Sequence, residues 1–315
     1  MTYALGIDFG GTKVALATAP LGTAPAMPLS VTRLETRAVE GAAAVVRRTV
    51  DACRALMEGR GALGAVGVST FGIVRDGVVR LAPNVPGWDG LPLPALLAEE
   101  FGTIPVSVSN DVKAATAAEL RWGRLSGIKD GIYLNLGTGL AAGFVVDGHV
   151  VTGAHGAAGE IAYVARHAGE LRALSPAARA SSLDGLGPAV DRAPLEEFVS
   201  GIALAERGSE LLGRRVTAAE LFAFRHDPRV RLLIEEALDA LALALANLCV
   251  ALDPSRVVIG GGMMGAAAFI VPHLRECLRQ AVPYPPEVVP ARFVDDAPLY
   301  GALALALGDG SAKGV

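Results

Sequence analysis

Gly6-Ile7-Asp8-Phe9-Gly10-Gly11-Thr12-Lys13, at the start of the chain, and Tyr133-Leu134-Asn135-Leu136-Gly137-Thr138-Gly139, well inside it, are the stretches whose reading decides the fold. Each is a short apolar run followed by a turn of small residues. The apolar run reads as a buried strand, and the turn lets backbone N–H groups approach a bound oxyanion. Neither turn has the Gly-x-x-x-x-Gly-Lys-Ser/Thr spacing of a P-loop or the Gly-x-Gly-x-x-Gly of a dinucleotide fold. Alone, each turn is equally a plain hairpin turn. Asp8, an acidic residue at a strand end beside an anion loop, is placed to hold a hydrated magnesium ion against phosphate.

Two such loops on two domains can grip one polyphosphate from both sides, which suits an ATP-dependent phosphotransferase with an interdomain cleft. Composition agrees: 315 residues allow two cores, and 52% hydrophobic content with 5% aromatic is that of an Ala, Val and Leu-rich α/β enzyme. A net charge of -4 without charge blocks gives no argument for nucleic acid as a partner. Cys53, Cys249 and Cys277 are scattered over segments that read as helix, as buried thiols in a reducing compartment are. The N-terminus carries no signal-peptide pattern, and the most apolar helix, 237–252, is broken by Asp239 and Asn247. The expectation is a soluble cytoplasmic protein without membrane partners.

Working outward, strands are expected at 2–8, 13–19 and 31–36, a helix at 41–58 and a strand at 65–69 ending on Thr70-Phe71-Gly72. Asp76-Gly77 marks a hairpin. A strand at 105–109 leads through Asn110-Asp111 into an Ala-rich helix ending near 120, taken as the crossing into the second domain. That domain opens with strands 131–136 and 141–146, repeating the strand, glycine turn, strand order of the first. Residues 166–194 read as a loop with short helical pieces, 195–212 and 228–252 as long helices, and 256–259 as a strand running into Gly260-Gly261-Gly262. A helix, a strand near 291–294 and a last helix at 298–307 complete the chain. The domains are expected at 1–112 with about 297–315, and at 113–296.

Phosphoryl transfer to an alcohol needs a carboxylate for the hydroxyl proton, magnesium, and donors for the phosphate oxygens. Asp111 is the candidate base, with Asn110 beside it to bind a second hydroxyl; the plainer alternative is that Asp111 only caps its helix. Gly153-Ala154-His155-Gly156-Ala157-Ala158-Gly159-Glu160 is a tight turn ending on a carboxylate able to accept from two sugar hydroxyls. His155 within it reads as structural.

These strings, with Ala82-Pro83-Asn84, Leu195-Glu196-Glu197-Phe198-Val199-Ser200-Gly201 and Val258-Ile259-Gly260-Gly261-Gly262, resemble the ROK family (repressor, open reading frame, kinase) in the family's order. The chain looks like one of its sugar kinases, glucokinase-like, in the actin-like ATPase (ribonuclease H-like) superfamily. The resemblance implies a two-domain α/β fold with an interdomain cleft. It implies ATP phosphate contacts from Gly10, Gly11, Thr12 and Lys13 and from Gly137, Thr138 and Gly139, an adenosine pocket lined by Gly260, Gly261 and Gly262, and Asp8 organising magnesium through water. Asp111 becomes the general base. Asn84, Asn110, Glu160 and Glu196 would bind the other hydroxyls of a sugar or cyclitol, with Gly72 and Tyr163 shaping the pocket. A homodimer is implied as well.

Many family members hold a structural zinc with Gly-Glu-Ile-Gly-His and a cysteine-rich loop. Here the first string reads Gly159-Glu160-Ile161-Ala162-Tyr163, and no cysteine lies between it and Glu196, so no structural zinc is expected. In the kinases that His also faces the sugar; Tyr163 in its place, and Thr70-Phe71-Gly72 for the usual Pro-Gly, leave a modified hexose, an N-acetylated hexosamine or a cyclitol beside glucose as the acceptor. Polyphosphate as donor and a catalytically idle sugar-binding protein also stand. The family's repressors carry a DNA-binding domain before the first glycine turn, for which Gly6 leaves no room.

Overall fold

The computed structural model describes residues 2–21, 28–172 and 193–308. Most of the loop read at 166–194 lies outside the described residues. Two compact units emerge: the described residues up to Lys129 with Gly143–Ala158 and those from Asp295 onward, and those of Asp130–Ala142 with Gly159–Val294.

The first unit is built on β1 (Thr2–Phe9), β2 (Lys13–Pro20), β3 (Ser30–Glu35), β4 (Ala62–Thr70) and β7 (Val106–Asn110), in the order β3-β2-β1-β4-β7. The hairpin partners are antiparallel, and β1, β4 and β7 are parallel, giving a mixed sheet. β1 is buried along nearly its whole length because both faces are covered, which is why it reads as an unbroken apolar run. Helix α1 (Ala42–Met57) buries Ala42, Val45, Thr49 and Cys53, one stripe at helical spacing. Between β4 and β7 come the hairpin β5 (Ile73–Arg75) and β6 (Val78–Arg80), turned at Asp76 and Gly77 with φ of 51° and 75°, and helix α2 (Leu93–Phe101). Helix α3 (Asp111–Trp122) follows β7 without a break.

The C-terminal helix, Ala297–Ala306, packs back onto this same sheet. A Cβ at Gly67 of β4 would lie 1.8 Å from the Ala302 carbonyl oxygen, and one at Gly301 would lie 2.1 Å from the Ala114 carbonyl of α3. Only glycine permits these approaches.

The second unit contains β8 (Gly131–Leu136), the first residues of β9 (Leu140–Val146), β11 (Arg256–Gly260) and β12 (Glu287–Pro290), in the order β9-β8-β11-β12. The far end of β9 belongs to the first unit, where it pairs with β10 (His149–Val150). β8, β11 and β12 are parallel. The helices are α4 (Glu196–Val199), α5 (Gly201–Leu212), α6 (Ala218–Ala223), α7 (Pro228–Leu252) and α8 (Ala267–Ala281).

Three sequence expectations need correction. The helix read over 195–212 is broken at Ser200, whose extended backbone (φ -62°, ψ 161°) ends α4 while its hydroxyl caps α5 by accepting from Ala203 N at 3.2 Å. The strand read near 291–294 lies at Glu287–Pro290: Val288 and Val289 pair with β11, and only the amide of Ala291 continues, donating to Ile259 O at 2.8 Å. Helix α6 was not foreseen, although Thr217-Ala218-Ala219-Glu220 is a complete capping box. Among the described residues, no helix is long and apolar enough to cross a membrane.

Candidate functional site

In the first unit the Gly10–Lys13 turn closes on itself, with Gly10 N donating to Lys13 O at 3.0 Å. Thr36, just past β3, holds it from outside: its hydroxyl donates to Gly10 O at 2.6 Å and its amide to Thr12 O at 3.0 Å. The two glycines differ. A Cβ at Gly10 would meet Lys13 O at 2.7 Å, whereas Gly11 has nothing within 4 Å, so Gly11 is the one whose backbone a ligand can approach. Lys13 pairs with Asp296 at 3.7 Å, and Arg33 pairs with the same carboxylate.

Asp8 sits on β1 opposite Ser69 of β4. Burial, aided by the nearby Asp111 and Asp296 charges and opposed by Ser69 and Lys13, raises its carboxyl to about 7. The buried Ser69 hydroxyl is near enough to favour the ionised carboxylate, yet its geometry completes no hydrogen bond, so the oxygen is left without a partner. A buried carboxyl facing an unpartnered hydroxyl is oxygen-donor chemistry of the kind a hydrated magnesium ion takes.

Asp111 is the first residue of α3, and it is not the cap. Asn110 fills that role, its side-chain oxygen accepting from Lys113 N at 2.9 Å. Asp111 accepts from Val112 N at 2.8 Å. The residue keeps some exposure, but protein atoms wall its carboxyl. Burial therefore raises its pKa, against the Val112 hydrogen bond and the Lys113 charge. Lys113 is itself buried, and its ammonium donates to Gly156 O at 3.0 Å, strapping the glycine-rich 153–158 turn to α3. His155 on that turn is exposed.

Asn84 is exposed on the loop after β6, and Gly72 (φ 79°) makes the turn out of β4. What holds this region is Trp88, which sequence reasoning missed. It is wholly buried, with Phe9 at 5.1 Å and Phe71 at 4.9 Å between ring centroids, and its indole N–H donates to Thr70 Oγ1 at 3.0 Å.

In the second unit the Gly137–Gly139 turn is gripped from three sides. Gly137 N donates to Gly139 O at 3.1 Å, Gly201 N donates to Gly137 O at 2.8 Å, and Leu140 N donates to Glu196 Oε2 at 2.7 Å. The N-terminus of α5 therefore lies against the turn, adding its positive dipole end to the amides there. Gly137, Thr138, Gly201, Glu206, Arg215 and Gly262 are among the residues lining a cavity of about 770 Å³. That is within the usual size of a small-molecule site.

The triple glycine divides its work. A Cβ at Gly260 would lie 2.4 Å from the Tyr133 hydroxyl, and Gly261 combines φ 93° with backbone packing on Leu136, while Gly262 has nothing within 4 Å and lines the cavity. Glu160 precedes and Tyr163 ends a short 3-10 turn, Ile161–Tyr163, anchored where Ala142 N donates to Gly159 O at 2.8 Å and Leu195 N to Ala162 O at 3.1 Å. The structure thus groups Asp8, Gly10–Lys13, Gly72, Asn84, Asn110 and Asp111 in one unit, and Gly137–Gly139, Glu160, Tyr163, Glu196 and Gly260–Gly262 in the other.

Comparison with known proteins gives these features a context. The chain is 32% identical to kanosamine kinase of Amycolatopsis mediterranei, over 96% of each protein. Among solved structures it is similar to a ROK hexokinase from Thermus thermophilus, at 30% identity and a TM-score of 0.77, covering 96% of this chain and 97% of that one. It is likewise similar to a ROK family glucokinase from Streptomyces griseus solved with glucose and AMPPNP, at 27% identity and a TM-score of 0.72, covering 96% and 99%. The ROK family pattern itself matches residues 4–309, nearly the whole length, and the chain belongs to the ROK family, with the actin-like ATPase fold of its sugar kinases.

Proposed function

We propose that this protein, a sugar kinase, transfers the γ-phosphoryl group of ATP to a hydroxyl of a hexose or hexose-like polyol, with Asp111 as general base. The observation that carries the reading is the Asp111 carboxyl: it is buried, relieved of capping by Asn110, and raised in pKa, so it holds an abstracted proton better than an ordinary aspartate. Asp111 takes the proton from the acceptor hydroxyl as that oxygen bonds to the γ-phosphorus and the bond to ADP breaks. Gly11 and Thr12 in one unit, and Gly137, Thr138 and the α5 N-terminus in the other, offer backbone donors for phosphate oxygens. Asp8 would hold magnesium through water, and the ion, when bound, neutralises phosphate charge.

The cavity at Gly262 favours a nucleoside triphosphate over polyphosphate, because a bare phosphate chain has no use for a 770 Å³ recess past the phosphate turn. For the acceptor, Tyr163 and the Thr70-Phe71-Gly72 turn mark where the choice among glucose, an amino or N-acetylamino hexose and a cyclitol is made. The relatives leave the same breadth, since one is a kanosamine kinase and another, at 28% identity, an N-acetylmannosamine kinase. Asn84, Asn110 and Glu160 are the proposed partners of the non-reacting hydroxyls.

The test is ADP release from ATP and magnesium across hexoses, amino and N-acetylamino hexoses and cyclitols, with the Asp111→Asn protein alongside. One acceptor that stimulates wild type and fails with the variant supports the reading. Sugar binding by calorimetry without stimulated turnover from either ATP or polyphosphate would sink it in favour of a non-catalytic sugar-binding protein.

A further inference from the structure

Of the three cysteines, Cys53 and Cys249 are buried inside helices with thiols pushed up to about 12, as inert core residues are. Cys277 is different: it is only half-buried, on the face of α8 turned toward α7. One turn before it on α8 stands His273, so the two side chains share a face. Opposite them on α7 is Asp239, whose Oδ1 lies 2.8 Å from His273 Nε2. The thiol, the imidazole nitrogen and the carboxylate oxygen all lie within 4.8 Å of one another.

We propose that Asp239, His273 and Cys277 form a binding site for a thiophilic divalent cation, of the zinc or cobalt(II) kind, clipping α7 to α8. One sulfur, one nitrogen and one oxygen donor match the first-row metals that accept mixed ligands, and the thiol and imidazole disfavour magnesium or calcium. A tetrahedral ion at bond lengths of roughly 2.0–2.3 Å needs its donors about 3.3–3.7 Å apart. To reach that spacing the His273–Asp239 pair, now at 2.8 Å, has to open by about 0.5–0.9 Å and the thiol, within 4.8 Å, has to draw in. On binding, the Cys277 thiol releases its proton to solvent as the metal–sulfur bond forms, and a water takes the fourth position.

The surroundings suit a cation. The Asp239 and Glu276 charges make the spot electronegative and, after burial, hold the Cys277 thiol above its ordinary value. Neighbouring groups are otherwise engaged: Glu276 with Arg279 and Gln280, Glu235 with Arg231, and Glu236 with Arg207. Phe269 stacks on the His273 ring, with centroids 6.5 Å apart, fixing its plane. None of the three ligands lies between Gly159 and Glu196, where the family's zinc is carried, so the site is a separate one.

The experiment is titration of the chelator-washed full-length protein with cobalt(II), followed by its visible d–d bands and its near-ultraviolet thiolate charge-transfer band. The expected result is one equivalent bound with a charge-transfer band. Cys277→Ser abolishes that band, His273→Ala and Asp239→Asn weaken binding at least tenfold, and zinc displaces the cobalt. Because the other two thiols are core residues, a thiolate band can come only from Cys277. Absence of the band in wild type, or its persistence in Cys277→Ser, overturns the site. Circular dichroism of each variant checks folding, and since none of the three residues lines the candidate donor cavity, kinase turnover provides a second check.

Discussion

Glu196 Oε2 accepts a hydrogen bond from the backbone N–H of Leu140 at 2.7 Å, so one carboxylate props the exit of the second glycine turn. A Cβ on Gly139 would come within 2.7 Å of the same oxygen, which leaves no room for slack between them. The family resemblance implies Glu196 as a hydroxyl ligand; its bond to Leu140 gives it a second, separable duty as support of the turn. Glu196→Ala is then expected to raise the KM for ATP by about 10- to 150-fold, the loss expected for a charge-assisted hydrogen bond of roughly 1.5–3 kcal/mol, with little change in acceptor KM. Glu196→Gln, which keeps an acceptor oxygen, should lose less. Equal effects on both substrates would contradict the assignment.

Asn110 and Asp111 are neighbours with separable duties. Asp111→Asn should lower kcat by about 10²–10⁴-fold while sugar binding, measured by calorimetry, persists. Asn110→Ala should lower the Tm through loss of a helix cap of about 1 kcal/mol. If Asp111→Asn instead lowers the Tm and leaves kcat intact, Asp111 is a structural residue.

Within the triple glycine, the informative substitution is at Gly262. Gly262→Val projects into the donor cavity without striking protein atoms, so it should raise the KM for ATP and leave the Tm near wild type. Gly261→Val meets the Leu136 backbone and requires φ 93° of a β-branched residue, so it should unfold the second unit or lower the Tm sharply. A Gly262→Val protein with unchanged KM for ATP would remove the nucleoside from this cavity.

The Asp8 carboxyl, at about 7 in the folded chain, titrates well above its ordinary 3.8. Between those values the native state holds more protons than the unfolded one, so without ligand this group's contribution to stability is greatest below about pH 4 and is lost as pH rises through 7. The denaturant midpoint of wild type should therefore fall, relative to that of Asp8→Asn, as pH rises from about 5 to 8. Magnesium favours the carboxylate and should stabilise wild type more at the alkaline end. Parallel pH profiles for the two proteins would show that Asp8 does not titrate there.

The two glycine turns, their strands and Asp111 are legible in the sequence because the backbone demands behind them are local: small residues at a turn and an unbroken apolar run in a strand covered on both faces. Thr36 and Trp88 are invisible for the opposite reason. Each acts by a bond to a distant segment, Thr36 to Gly10 and Trp88 to Thr70, and nothing in the adjacent residues announces it. The break at Ser200 is hidden in a helical pattern that continues on both sides, whereas the start of α6 carried its signal openly in Thr217 and Glu220. β12 slipped because Pro290 reads as a breaker, although at the end of an edge strand it costs no ladder bond.

The fit of Ala297–Ala306 against Gly67, Gly6 and Ala114 gives the molecule an order of assembly. The sheet that carries Asp8, and the helix α3 that Asp111 opens, are both made well before the helix that packs against them. A nascent chain can therefore fold the interior of the second unit while the first still shows an uncovered apolar surface. The first unit therefore closes its core only once Ala297–Ala306 has been made, although the two carboxylates lie far earlier in the chain.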